Sequence, residues 1–138
     1  MAATTASTTF YTAQAGNYEY YNGGKGGKER VMQIYHACTA QEAASTIKLC
    51  KLPKGAIVTG MAVCSEANTA SSTMTFKVGS TAVSSALASS SALNQEMDKL
   101  YALLGAALTA DTDITILTGG ATLTADKKLL VTVRFVFD

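Results

Sequence analysis

The stretch that most constrains the fold is LLVTVRFVF, residues 129–137. Leu129, Val131, Val133, Phe135 and Phe137 alternate with Leu130, Thr132, Arg134 and Val136. Successive side chains of a strand point to opposite faces, so one face of this segment is wholly apolar. β-Branched and aromatic residues suit that pleated surface. A strand this apolar has to be paired and covered, and the spacing predicts that it is built into a sheet.

The same period runs backwards along the chain. VMQIYHAC (31–38) places Met32, Ile34, His36 and Cys38 on one face and Val31, Gln33, Tyr35 and Ala37 on the other. In STIKLCKL (45–52), Ile47 and Leu49 share a face opposite Thr46, Lys48 and Cys50. AIVTGMAVCSE (56–66) aligns Ile57, Met61 and Val63, with Gly60 marking a bulge or a close backbone approach. TMTFKVG (73–79) turns Met74, Phe76 and Val78 inward. Turns are signalled at Leu52-Pro53 with Lys54-Gly55, at Gly79-Ser80 and at Gly119-Gly120, the last between TDITILT and ATLT. LTAD occurs at 108–111 and 123–126, each time entering an apolar stretch. The one helical period is Leu93, Met97, Leu100 and Leu104, which predicts a short amphipathic helix over 92–104, ended by Gly105, with a buried strand from about Leu100 as the alternative. Short strands between turn signals predict an all-β chain, an antiparallel β-sandwich of jelly-roll type.

Residues 1–30 read differently. They carry four of the six tyrosines with Ala, Thr, Ser and Gly, and lack sustained periodicity. They are expected to form an N-terminal arm and glycine-rich hinge, with residues 31–138 as the sandwich domain. Within GNYEYYNGGKGGKERV (16–31) the glycine and lysine density suggests a phosphate-binding loop. The spacing refutes it: the first glycine of G-x-x-x-x-G-K-[ST] falls on Asn22 or Glu19, and Gly26 or Glu29 follows the lysine.

Chemistry is sparse. One histidine lies in a strand, the ten acidic residues are dispersed, and no G-x-S-x-G elbow occurs. No catalytic reading survives. His36 with Cys38, Cys50 and Cys64 supplies a Cys3His count for zinc, but without close ligand pairs, so three reduced thiols and no cofactor are expected. Asp111 and Asp113 form a D-x-D, better read as turn capping than as a calcium site. A net charge of +1 offers no field for nucleic acid or anionic membrane. No apolar run reaches membrane-spanning length, and residues 1–14 lack the pattern of a signal peptide. Synthesis in the cytoplasm is expected.

LPKGAIVTGMAVC (52–64), TFKVGST (75–81) and ADTDITILTGGATLTADKKLLVTVRFV (110–136) together resemble small phage virion proteins of the capsid decoration, or cement, kind. The resemblance spans about two-thirds of the chain, and it rests on turn-and-strand signatures, L-P-x-G and D-x-x-I-x-[IL]-T-x-G-G-A-x-L. It implies a structural, non-enzymatic protein on the capsid surface that docks at junctions between major capsid protein subunits, as a homo-oligomer with a trimer favoured. On that reading Tyr18, Tyr20 and Tyr21 pack on a neighbouring subunit, and Lys25, Lys28 and Arg30 meet acidic capsid surface. The alternative is a receptor- or glycan-binding module of a head or tail fibre, with the same tyrosines as its platform. The lack of Trp weighs against that platform.

Overall fold

The structure, a computed structural model, describes residues 3–8, 29–103 and 106–137. They form an all-β sandwich of two sheets. Sheet one takes β1 (Thr5–Ser7), β3 (Thr46–Leu52), β9 (Thr112–Gly119), β5 (Thr73–Val78) and β6 (Thr81–Ala82) in that order, with β7 (Leu87–Ala88) also on β5. Sheet two runs β2 (Arg30–Ala37), β10 (Lys128–Phe137), β4 (Ala56–Ser65) and β8 (Leu93–Glu96). All pairings are antiparallel except β1 on β3, which is parallel.

The alternating segments form the core as their period requires. Leu129, Val131, Val133 and Phe135 of β10 meet Met32 and Ile34 of β2 and Met61 and Val63 of β4 on the inner side of sheet two. Ile47, Leu49, Leu52, Met74, Phe76, Ile114 and Ile116 face them from sheet one, all at most 1% exposed. Burying each such side chain contributes roughly 1.5–3 kcal/mol. Sandwich stability therefore rests on this interlayer more than on the ion pairs seen among the described residues, which lie at the surface.

Two strands depart from strict alternation, each at a bulge. In β3 the register against β9 shifts between Lys48 and Cys50. Leu49 is the extra residue, so Leu49 and Cys50 are both fully buried. Cys50 therefore does not share the outer face with Lys48, as alternation alone predicts. In β4 Gly60 pairs with Arg134 and Val58 with Phe135, leaving Thr59 as the extra residue. The bulge expected at Gly60 is present, and it reverses the side on which residues before it point. Ala56 and Val58, not Ile57, join Met61 and Val63 in the core.

The helix expected over 92–104 does not form. Residues 93–96 are strand β8 on the edge of β4, and a single 3-10 turn follows at Leu100–Leu103. Leu93 and Met97 are buried, and Leu100 and Leu103 pack at the margin of the core. The Leu93–Met97–Leu100 spacing thus serves a strand end and a turn, which meet the same apolar surface as a helix face would. Asp98 fixes the excursion, accepting the Ser85 N–H (2.8 Å) and hydroxyl (2.7 Å). These bonds, the hydroxyl's first, hold its carboxyl below the ordinary aspartate value.

Turn chemistry is mostly as read. Val78 pairs with Thr81 around Gly79-Ser80, with Gly79 at φ 62°. Gly120 ends β9 at φ 77°, and a Cβ there would lie 2.0 Å from the Ser71 carbonyl oxygen. The ATLT segment after it is not a strand, because β10 begins only at Lys128. Both LTAD copies clasp neighbouring segments through their leucine N–H groups. Leu108 donates to Ala56 O and Leu123 to Gln41 O.

Part of the stretch read as an arm belongs to the sandwich. β1 is held by Thr46 N–H on Thr4 O and Thr8 N–H on Lys48 O, both 2.9 Å. The fully buried Ser45 hydroxyl accepts from Thr4 N–H, and the buried Gln41 amide donates to the Thr4 hydroxyl. The tyrosine- and glycine-rich residues 9–28 therefore run in sequence between a strand of sheet one and a strand of sheet two.

Candidate interaction surfaces

The zinc set is not assembled. Cys50 is in the core of sheet one, Cys38 is buried just beyond β2, and Cys64 is exposed on the outer face of sheet two. Among the described residues no three His, Cys, Asp or Glu side chains converge for a metal. Burial, aided by the Asp113 charge, pushes the Cys50 thiol up to about 12. Burial also raises Cys38, against a smaller opposing backbone hydrogen bond. Neither thiol is a nucleophile near neutral pH. His36 is half-buried beside Cys38, and desolvation lowers its pKa. Its Nε2 is buried without a hydrogen-bond partner among the described residues.

The D-x-D resolves into two structural roles. Asp111 accepts the Lys54 N–H (2.9 Å) and so caps the Pro53–Gly55 turn. Asp113 lies between Lys48 (3.9 Å) and Lys51 (3.7 Å), which stand on either side of the β3 bulge.

Of the residues expected to contact a partner, Tyr18, Tyr20, Tyr21, Lys25 and Lys28 lie outside the described residues. Arg30 opens β2, its guanidinium carbon 5.8 Å from the Phe137 ring centroid. Phe137 in turn meets Phe135 edge-on at 5.7 Å. Arg30 is thus oriented by the aromatic end of β10.

The two outer faces differ in character. On sheet one the cross-strand rows are Thr46–Leu117–Thr75 and Lys48–Thr115–Lys77, a hydroxyl and ammonium surface. On sheet two the rows are Tyr35–Leu130–Cys64, Gln33–Thr132–Ala62 and Val31–Arg134–Gly60. Arg134 there reaches Glu96 at 3.9 Å. A shallow apolar groove of ≈ 460 Å³ opens beside Tyr35, lined by Cys64, Ala92, Leu129 and Leu130. Tyr35 is 73% exposed and Val31 49%, so two of the three exposed large apolar residues among those described stand on β2. That Val31 and Tyr35 point outward is readable from alternation. That their strand lies at a sheet edge is not, because edge position depends on pairings between residues far apart in sequence. No helix among the described residues is long and apolar enough to cross a membrane.

No protein-family profile matches the chain, and no curated protein sequence matches it significantly. Two solved structures share its fold. One is a chain of the capsid of Ralstonia phage GP4, with TM-score 0.77 and 13% identity, covering 97% of this chain and 98% of that one. The other is a chain of the cyanophage Pam1 capsid asymmetric unit, with TM-score 0.64 and 23% identity, covering 89% and 96%. Both alignments span nearly whole chains, so this sandwich is similar from end to end to chains found in two phage capsids.

Proposed function

We propose that this chain is a structural component of a phage virion, bound to the outer surface of the capsid at junctions between major capsid protein subunits, where it stabilises the shell. The observation that carries the reading is the fold likeness to a chain of the GP4 capsid over 97% of this one. A buried interlayer with an apolar outer patch suits adhesion, and repetition over a lattice lets modest contacts hold through avidity. The 9–28 segment, with Tyr18, Tyr20, Tyr21, Lys25 and Lys28, is proposed to meet the shell, with Arg30 at its base.

The test is co-sedimentation of the purified chain with shells assembled from major capsid protein alone. Binding, with shells that then survive higher temperature, is the expected result. Recovery of all the protein in the supernatant overturns the proposal. Replacing Tyr18, Tyr20 and Tyr21 together by Ala is expected to weaken binding at least tenfold, about 1.4 kcal/mol. Substitution is preferable to truncation here, because removing the first residues would also remove β1 and its anchors.

A further inference from the structure

β2 keeps unbroken register with β10 over eight residues, and its other edge has no partner among the described residues. Native proteins protect such edges by shortness, charge, proline or bulges, since an open strand recruits another. The other edges here are protected. β1 has three residues, β6 and β7 two each, and β8 four with Glu96 among them. From Val31 to Ala37, β2 carries no carboxylate, lysine, arginine, proline or bulge. It also carries the exposed Val31 and Tyr35.

We propose that β2 pairs antiparallel with β2 of a second copy of this chain, about a two-fold axis through Gln33. The sequence of the strand is self-complementary about that point. On the outer face Val31 comes opposite the second copy's Tyr35, twice by symmetry, with the two Gln33 amides facing each other at the axis. On the inner face Met32 comes opposite the second copy's Ile34, so both cores continue across the joint. Moving the axis to Ile34 would set each Tyr35 against a glutamine instead. Charge agrees with the same register. Glu29, whose carboxylate now accepts from the Thr59 hydroxyl, comes opposite the second copy's Ala37, beside its Lys128. The two copies of sheet two then form one eight-stranded sheet, four strands from each. An isologous contact of this kind is the commonest closed symmetry, and it needs no shell to form.

The decisive measurement uses full-length protein with Cys64→Ser, which removes the one exposed thiol, and a single new cysteine at Gln33→Cys. Residue 33 then faces its own symmetry mate within cross-strand distance. Mild oxidation is expected to give a covalent dimer in more than half of the chains. Val31→Cys and Tyr35→Cys, each alone, should give no covalent dimer, and should cross-link to one another when mixed. Light scattering of the unaltered protein should give twice the chain mass, and Gln33→Lys should halve it without lowering the melting temperature. A monomer at high protein concentration overturns the proposal and points to residues 9–28 of the same chain as the cover of β2. A trimer, or cross-linking of Val31→Cys to itself, overturns it as well.

Discussion

His36 shows how one buried atom becomes a pH dependence. Desolvation lowers its folded-state pKa below the value of about 6.5 that it has in an unfolded chain. Below that pH the unfolded chain takes up a proton that the folded chain refuses. The contribution of His36 is therefore present above pH 6.5 and is lost as pH falls toward the folded pKa. Stability measured by denaturant midpoint should fall over that window, and His36→Gln should flatten the slope there. A slope unchanged by the substitution would show that the imidazole is not its source. Asp98 acts in a separate and more acid window, since its depressed pKa contributes above the ordinary aspartate value and is lost below it. The sequence placed His36 on the inner face of β2 correctly. It gave no sign that the ring would reach a site without a partner among the described residues, because that depends on what the rest of the fold brings near.

At the scale of the strand, bulges decide which side chains are inside. Thr59 is the one residue of β4 without a partner on β10, so deleting it should let Gly60 and Val58 keep their partners Arg134 and Phe135. The inward set Ala56, Val58, Met61 and Val63 is then preserved with regular alternation. Deleting Ala62 instead turns Val63 outward and Cys64 inward. The Thr59 deletion is expected to melt cooperatively with a loss of about 1–2 kcal/mol, and the Ala62 deletion to lose the cooperative transition. Equal damage from both would refute the bulge as the point of slack. These bulges also mark where alternation misleads. β2, β5 and β10 have unbroken inner faces, and all three are legible. β3 and β4 each contain one extra residue, so Cys50 and Ile57 are assigned to the wrong side. The Leu93–Met97–Leu100 spacing fails for another reason: three apolar residues at that interval satisfy a helix or a strand followed by a turn.

For the whole molecule, the sheets are assembled almost entirely from distant parts of the chain. β3 pairs with β9, β5 with β9, and β2 with β10. Such topologies pay loop-closure entropy before contacts form, and comparable β-sandwiches refold in roughly milliseconds to seconds. Refolding from denaturant, followed by tyrosine fluorescence, should fall in that range. A microsecond relaxation would contradict the pairing scheme. The two-sheet architecture was legible because most of the chain alternates, whereas the strand order, with β2 at an edge among the described strands, was not.

The central position of β10 in sheet two has a consequence for biosynthesis. During translation β2 emerges early, yet its partner among the described strands is made last. Until residues near 135 have left the ribosome, Met32, Ile34 and Tyr35 have no sheet to join. Between the synthesis of β2 and that of β10, about ninety residues later, a nascent chain thus carries an apolar strand whose partner among the described strands does not yet exist. That interval is where chaperones or premature association between chains would act.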